Sequence, residues 1–145
     1  METYTYQQTI NAPIKKVWDI LWNDETYPRW TASFTPGSRL ESDWKINGKT
    51  RFLDANGDGM VSTIHTLNPP FEVMFKHLGV VKKGIEDIDS DNVKAWTGSL
   101  EQYFLKEENG RTLLEAVIDI DPQYKEMMDN GFIKGFDQVK QLAEK

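Results

Sequence analysis

The stretch that decides the fold is Ile10–Asn23, INAPIKKVWDILWN, in which a strand pattern gives way to a helix pattern. Just before it, residues 3–10 read TYTYQQTI, an alternating run rich in the Thr and Tyr that favour strands. Pro13 suits the first turn of a helix, where a missing N–H costs nothing, and Asn11 is a candidate cap. The apolar residues that follow recur at helical spacing, at Val17, Ile20 and Leu21.

Downstream of this stretch the pattern predicts a short helical turn in residues 23–30, broken at Pro28, and then a series of strands. The sequence Asn109-Gly110 between two of them is a strong hairpin signal. The strands are expected at 48–54, 59–67, 71–81, 93–107 and 111–121. A long helix is predicted from Pro122, with one apolar face formed by Tyr124, Met128, Phe132, Phe136, Val139 and Ala143. This order predicts an α+β fold whose curved sheet wraps the final helix.

Gly131 and Gly135 lie four residues apart on that final helix. Glycine in a helix costs about 1 kcal/mol relative to Ala, so a structural reason for the pair is expected. A close contact with the sheet, or a bend in the helix, is predicted there.

Two acidic stretches resemble the beginning of a calcium-binding loop. DANGDGM (54–60) places oxygen ligands at the first, third and fifth positions and Gly at the sixth, but the twelfth position is His65 instead of Glu. Both of its flanks read as strands, so a hairpin turn is predicted. DIDSDN (87–92) fails the same test, because its twelfth position is Gly98, and it is predicted to be a solvated loop.

Composition excludes several classes of protein. The chain carries 17 Lys and Arg against 23 Asp and Glu, and a net charge of −6 argues against a nucleic-acid surface. No apolar run approaches the about 18 residues of a membrane span, and METYTYQQTI lacks the pattern of a signal peptide. Cysteine is absent, which excludes disulfides, thiolate nucleophiles and Cys-based zinc sites. A cytoplasmic, single domain covering residues 1–145 is expected.

Motifs of catalysis, metal binding and cofactor binding are missing. His65 and His77 are the only two histidines, and their spacing matches no zinc motif. There is no G-x-S-x-G elbow and no Gly-rich phosphate loop. His65 could serve as a general base only beside a carboxylate such as Glu101 or Asp119, and His77 is expected at the surface or rim. No catalytic residue, metal ligand or cofactor is therefore predicted.

Several motifs in their order resemble one superfamily. INAPIKKVWDILWN…YPRW is similar to the strand-to-helix start of the START-like (SRPBCC) superfamily, which has the helix-grip fold. The central stretch 43–77 resembles the branch of heat-shock-protein ATPase activator homologues, in which a Gly-containing turn and a Pro-rich turn each lead into a strand. EQYFLKEENGRTLLEAVID is similar to the penultimate hairpin of that branch. NGFIKGFDQVKQLAE resembles its last helix, which usually has Gly-Trp where this chain has Gly131-Phe132.

The resemblance implies a cavity between the curved sheet and the C-terminal helix, and it suggests three functions. Binding of a small apolar or amphipathic molecule in that cavity is the first. A co-chaperone-like module that contacts a protein partner is the second, and a cyclase or hydrolase with His65 as its base is the third. The side chains expected to line the cavity are Trp30, Phe34, Phe52, His65, Phe75, Trp96, Tyr103, Phe132 and Phe136. A binding protein is favoured over an enzyme, because no motif supplies a catalytic group.

Overall fold

One antiparallel sheet of eight strands runs from residue 2 to residue 120, and the computed structural model describes all 145 residues. The strands are β1 (Glu2–Ile10), β2 (Arg39–Ser42), β3 (Lys49–Leu53), β4 (Gly59–Asn68), β5 (Glu72–Lys82), β6 (Ile85–Asp87), β7 (Leu100–Glu108) and β8 (Arg111–Ile120). The strand order is β1-β8-β7-β5-β4-β3-β2, with β6 paired to β5 alone. The helices are α1 (Ile14–Trp22), α2 (Tyr27–Thr31), α3 (Asp91–Lys94) and α4 (Lys125–Ala143), and a 3-10 turn (Pro122–Tyr124) precedes α4.

The predicted α+β class is confirmed, with the long helix α4 held against one face of the curved sheet. α4 packs on β1, α1 and α2, and its Phe132 and Phe136 are almost completely buried. Inward-facing residues recur at every second strand position, so that Phe75, Tyr103 and Ala116 face the same core. Tyr124, which was predicted to lie on the apolar face of the helix, is instead exposed in the turn before α4.

The free backbone N–H at the beginning of α1 is hydrogen-bonded by a side chain that is distant in sequence. The amide of Ile14 donates a hydrogen bond to Glu107 Oε1 at 2.7 Å, and Pro13 occupies the capping position without a side-chain bond. Asn11 does not cap the helix as predicted, since Pro13 holds the capping position, and the backbone amide of Asn11 donates to Glu144 Oε2 at 2.8 Å. A free N–H at a helix start needs an acceptor, and here that acceptor comes from the end of β7.

Pro28 lies in the first turn of α2, which begins at Tyr27, and does not break a helix, which corrects the sequence interpretation. Proline in the first turn loses no helical hydrogen bond. The short helix is fixed to α1 by the indole of Trp30, whose Nε1 donates to the carbonyl oxygen of Leu21 at 3.0 Å. This bond places Trp30 in the core beneath α4.

The two predicted turns are confirmed. Residues 54–58 connect β3 to β4, and Asp54 Oδ1 accepts the amides of Asn56 and Asp58 at 2.8 and 3.1 Å. Asn109 and Gly110 join β7 to β8 with φ values of 54° and 79°, which Asn and Gly tolerate. The acidic side chain of the first turn therefore has a structural role, as a cap for its own loop.

The segment between β5 and β7 differs from its prediction. DIDSDN is not a plain loop: Asp87 ends β6, and Ser90 accepts the amide of Val93 to cap α3. The strand predicted at 93–107 begins only at Leu100, because residues 93–99 form the end of α3 and a following turn. None of the helices combines the length and the apolar composition that a membrane crossing requires.

Gly131 and Gly135 mark a close contact, but the partner is the α2 segment and not the sheet. A Cβ on Gly135 would lie 2.8 Å from the carbonyl oxygen of Trp30, and one on Gly131 would collide with the ring of Phe34. Ser33 Oγ donates to the carbonyl oxygen of Gly131 at 2.7 Å and holds the two segments together.

Candidate functional site

A cavity of about 390 Å³ opens beside the contact between α2 and α4. It is bounded by α2 and the segment after it, by the β3–β4 hairpin, by β7, and by the first turns of α4. Its volume falls within the range of small-molecule sites, about 300–1,000 Å³. Ten of its 17 lining residues are apolar, so an apolar body would be desolvated there.

Aromatic rings and methionines form its walls. The rings of Trp30 and Phe34 have centroids 6.4 Å apart in an edge-on arrangement, and Phe34 stands edge-on to Phe132 at 4.9 Å. Met127 and Met128 complete the wall on the α4 side. Flexible thioethers beside rigid rings suit a ligand whose shape the walls must follow.

Five of the nine side chains predicted to line a cavity do so: Trp30, Phe34, Phe52, Tyr103 and Phe132. Phe75 and Phe136 lie one layer deeper, with rings 5.0 Å from Phe52 and 5.4 Å from Phe132. Both are almost fully buried and support the wall instead of forming it.

His65 and Trp96 lie outside the cavity, which corrects the sequence interpretation. Ile64 is completely buried, so its neighbour His65 faces away from the core and is exposed, with Nδ1 3.0 Å from Thr66 Oγ1. Trp96 belongs to the turn after α3 and not to a strand. His65 is therefore neither a ligand anchor nor a base for chemistry inside the cavity.

The inner end of the cavity carries a buried polar chain, formed by Ser62, His77, Glu101 and Tyr103. His77 Nδ1 is 2.6 Å from Ser62 Oγ, and its Nε2 is 3.2 Å from Glu101 Oε1. The hydroxyl of Tyr103 donates to the other oxygen of Glu101. Since a carboxylate only accepts, His77 donates through Nε2, while Nδ1 shares a hydrogen bond with Ser62 Oγ, so every member has a partner.

His77 was expected at the surface or rim but is 5% exposed. The sequence of β5 could have predicted this burial. Val73 and Phe75 are apolar and face the core, and His77 lies two residues further on, so it faces the same side of the sheet. Glu101 and Tyr103 reach the cavity, whereas Ser62 and His77 lie behind them. His77 therefore orients Glu101, and Ser62, with no exposed surface, has no access to a ligand.

Two tyrosines beside Glu101 are held in their neutral form. Burial raises the pKa of Tyr27 far above its ordinary value, and repulsion from the Glu101 carboxylate raises it further. Burial is also the main cause of the raised pKa of Tyr103, again with Glu101 adding to it. Both phenols therefore remain hydrogen-bond donors at neutral pH, beside a single inner carboxylate.

The site can bind a small molecule, orient it and remove it from water. No His, Lys or Arg lines the cavity. No group of three or more His, Asp or Glu side chains is arranged to hold a metal ion. What the lining presents is an aromatic enclosure with one carboxylate and two phenols at its inner end.

No protein-family model and no curated protein matches this sequence. Solved structures do match. Aha1 from Colwellia psychrerythraea, described as a dimer, is 14% identical over 99% of this chain and 97% of its own, with a TM-score of 0.70. CalU16 from Micromonospora echinospora is 19% identical over 97% of this chain and 65% of its own, with a TM-score of 0.67. DynU16, from the dynemicin biosynthetic locus, is 12% identical over 97% of this chain, with a TM-score of 0.70, and this chain spans 46% of its length.

These similarities establish the fold. The chain has the helix-grip fold that these structures share, which confirms the fold that the sequence resemblance implied. A ligand or an activity does not follow from a shared fold, and it has to be argued from the cavity itself.

Proposed function

We propose that the protein binds a small apolar or amphipathic molecule in the cavity between the sheet and α4. The observation that carries the proposal is the cavity of about 390 Å³, walled by aromatic and Met side chains in a chain whose remaining aromatic rings pack closely. An apolar molecule bound there would gain dispersion contacts with these walls and would remove their apolar surface from water. Glu101, which His77 and Tyr103 hold in place, then fixes one end of that molecule.

The outer sheet surface gives less support to a protein-interaction module. A docking face would present contiguous apolar side chains. Among the large apolar side chains that are exposed, only Ile85 and Leu113 lie in strands, and they belong to different strands, β6 and β8. The likeness to Aha1 keeps this function as the outcome to expect if the cavity binds nothing.

Native mass spectrometry of the protein purified from its own host tests the proposal. We expect an extra mass of a few hundred daltons that leaves on denaturation. A clean apo mass, with no thermal shift across a panel of lipids and aromatic compounds, would contradict cavity binding and favour the interaction module.

A matched pair of variants locates the bound molecule. Met128→Trp fills the cavity from α4. Met74→Trp makes the same change outside the cavity, on the face of β5 that points away from the core. The extra mass should be lost from Met128→Trp and kept by Met74→Trp. Retention of the mass by both variants would show that the molecule lies elsewhere.

A further inference from the structure

The cavity has a one-sided charge. Three of its lining residues are acidic, namely Asp54, Asp58 and Glu101, and none is basic. The two aspartates lie at the β3–β4 hairpin, where each also accepts backbone amides. Glu101 is different, because it lies at the inner end, where its side chain is only 16% exposed. A carboxylate in that position favours a ligand that brings a positive charge or strong donors.

Glu101 is held ready to accept further hydrogen bonds. His77 Nε2 and the hydroxyl of Tyr103 each engage one of its two oxygens. An ionised carboxylate has about four acceptor sites, so each oxygen keeps capacity for a donor from the cavity. The two protein donors fix its rotamer before a ligand arrives, and this lowers the entropy lost on binding.

Tyr27 supplies a second polar group that lacks a partner. Its side chain lines the cavity and is 7% exposed, and its hydroxyl makes no hydrogen bond within the protein. The hydroxyl is accessible from the cavity, since Trp22 Nε1 is the only fully buried side-chain nitrogen or oxygen without a partner, so a molecule in the cavity can bond to it. Its oxygen can accept one donor and its hydrogen can be given to one acceptor.

We propose that the ligand is an amphipathic amine, with an apolar, preferably aromatic, body and a protonated amino group at the inner end of the cavity. This inference rests on the proposed function and adds the chemical class of the ligand. The ammonium group donates to Glu101 and to the hydroxyl oxygen of Tyr27, which are the acceptors there. The body lies among Phe34, Phe52 and Phe132, whose ring faces also attract a cation.

The same groups disfavour other ligands of equal size. A carboxylic acid would be repelled by Glu101 and by the aspartates at the hairpin, with no cation in the lining to compensate. An alcohol could engage Glu101 but would bring no countercharge to it. The inference is therefore tested directly by comparing the affinities of ligands that share one apolar body and differ in their head group.

The test compares 4-phenylbutylamine, 4-phenylbutanol and 4-phenylbutyrate at neutral pH, with binding followed by tryptophan fluorescence and calorimetry. Trp30 lines the cavity and should respond to occupancy. We expect the amine to bind about tenfold or more tightly than the alcohol, and the acid to bind most weakly, as for a hydrogen bond to a charged group. Equal affinity of the alcohol or the acid would overturn the inference while the proposed function stands.

Absence of binding by all three compounds also overturns the amine inference. The mass bound to the protein from its own host decides separately whether the cavity is occupied at all. The two proposals can therefore fail independently.

Variants separate charge recognition from a structural effect. Glu101→Gln should weaken the amine about tenfold and change the alcohol by less than about threefold. Tyr27→Phe removes only a hydroxyl without a protein partner, so the fold should persist while amine affinity falls several-fold. Glu115→Gln, on the outer face of β8, is the matched control and should change neither affinity. An equal loss of amine and alcohol in Glu101→Gln would overturn the inference.

Discussion

Gly131 is the residue of α4 that packs against the ring of Phe34, in the segment after α2. A Cβ at this position would collide with three atoms of the Phe34 ring. The same ring stands edge-on to Phe132 and forms part of the cavity wall. The ring of Phe34 can therefore pack against α4 only because Gly131 has no side chain.

We predict that Gly131→Ala destabilises the protein by about 1–3 kcal/mol, because the added methyl group displaces a packed ring. An Ala in a helix would otherwise gain about 1 kcal/mol over Gly. The free energy of unfolding in urea measures the net effect. Asn130→Ala, an exposed change one residue earlier on α4, should stay within about 0.5 kcal/mol of the wild type.

A double-mutant cycle identifies the cause. In a Phe34→Ala background the added methyl meets no ring, so Gly131→Ala should become neutral or stabilising by up to about 1 kcal/mol. The same loss in both backgrounds would mean that the contact with Phe34 is not what requires glycine at position 131.

The site could be predicted from the sequence where strand or helix parity was fixed by several apolar neighbours. Phe52, Tyr103 and Phe132 belong to such patterns, and they line the cavity. The prediction that His65 lines the cavity was wrong because the pairing register of β4 with β5 shifts between Ile64 and Thr66. Such a register shift cannot be predicted from the alternation of apolar and polar residues. The unpartnered hydroxyl of Tyr27 has no sequence signal, since it depends on what surrounds it.

At the scale of elements, β6 is the strand with the fewest backbone partners. It has three residues and pairs only with β5. Its Glu86 bonds to Lys49 Nζ at 2.9 Å and also accepts from the guanidinium of Arg51, so that β3 holds β6 through side chains. These bonds lower the pKa of Glu86 below its ordinary value, with the bond from Lys49 as the first cause.

The lowered pKa of Glu86 predicts how stability depends on pH. A folded pKa below the unfolded one gives stability that is present above the unfolded value, about 4.3, and is lost as pH falls through the folded value. Glu86→Gln should therefore cost about 0.5–1 kcal/mol at pH 7, and the difference from wild type should narrow below about pH 4. Urea unfolding at a series of pH values measures both.

Glu108→Gln is the control for this prediction, since Glu108 pairs with Lys106 and both side chains are more than 70% exposed. It should leave the free energy of unfolding unchanged at every pH. If the free energies of unfolding of Glu86→Gln and the wild type differ by the same amount down to pH 3, the lost stability comes from packing and not from charge.

Elements of nine or more residues were predictable, because periodicity accumulates over their length. β1, α1, β8 and α4 all follow from pattern and turn residues. β2, β6 and α3 have three or four residues each and form only because a partner is already in place, so local sequence did not indicate them. The acceptor for α1, Glu107, lies 93 residues from Ile14 and could not be inferred from local sequence.

At the scale of the whole molecule, the N-terminal and C-terminal segments of the chain pack against each other. β1 pairs with β8 in register from Glu2–Ile120 to Ile10–Thr112, and Thr112 Oγ1 donates to the carbonyl oxygen of Ala12 at 2.8 Å. α4 in turn packs on β1, α1 and α2. Neither end of the chain can leave without uncovering the core that the other end needs.

We predict from these contacts that residues 1–145 unfold as one cooperative unit, as expected of a single domain. Urea transitions followed by tryptophan fluorescence and by far-UV circular dichroism should coincide, and calorimetric and van't Hoff enthalpies should agree. Fluorescence reports the packing of α1 and α2, because Trp18, Trp22, Trp30 and Trp44 belong to or pack on the main core. Trp96→Phe, which changes the remaining tryptophan, should keep the midpoint and most of the signal. A fluorescence midpoint below that of circular dichroism would mean that the helices detach from a sheet that persists without them.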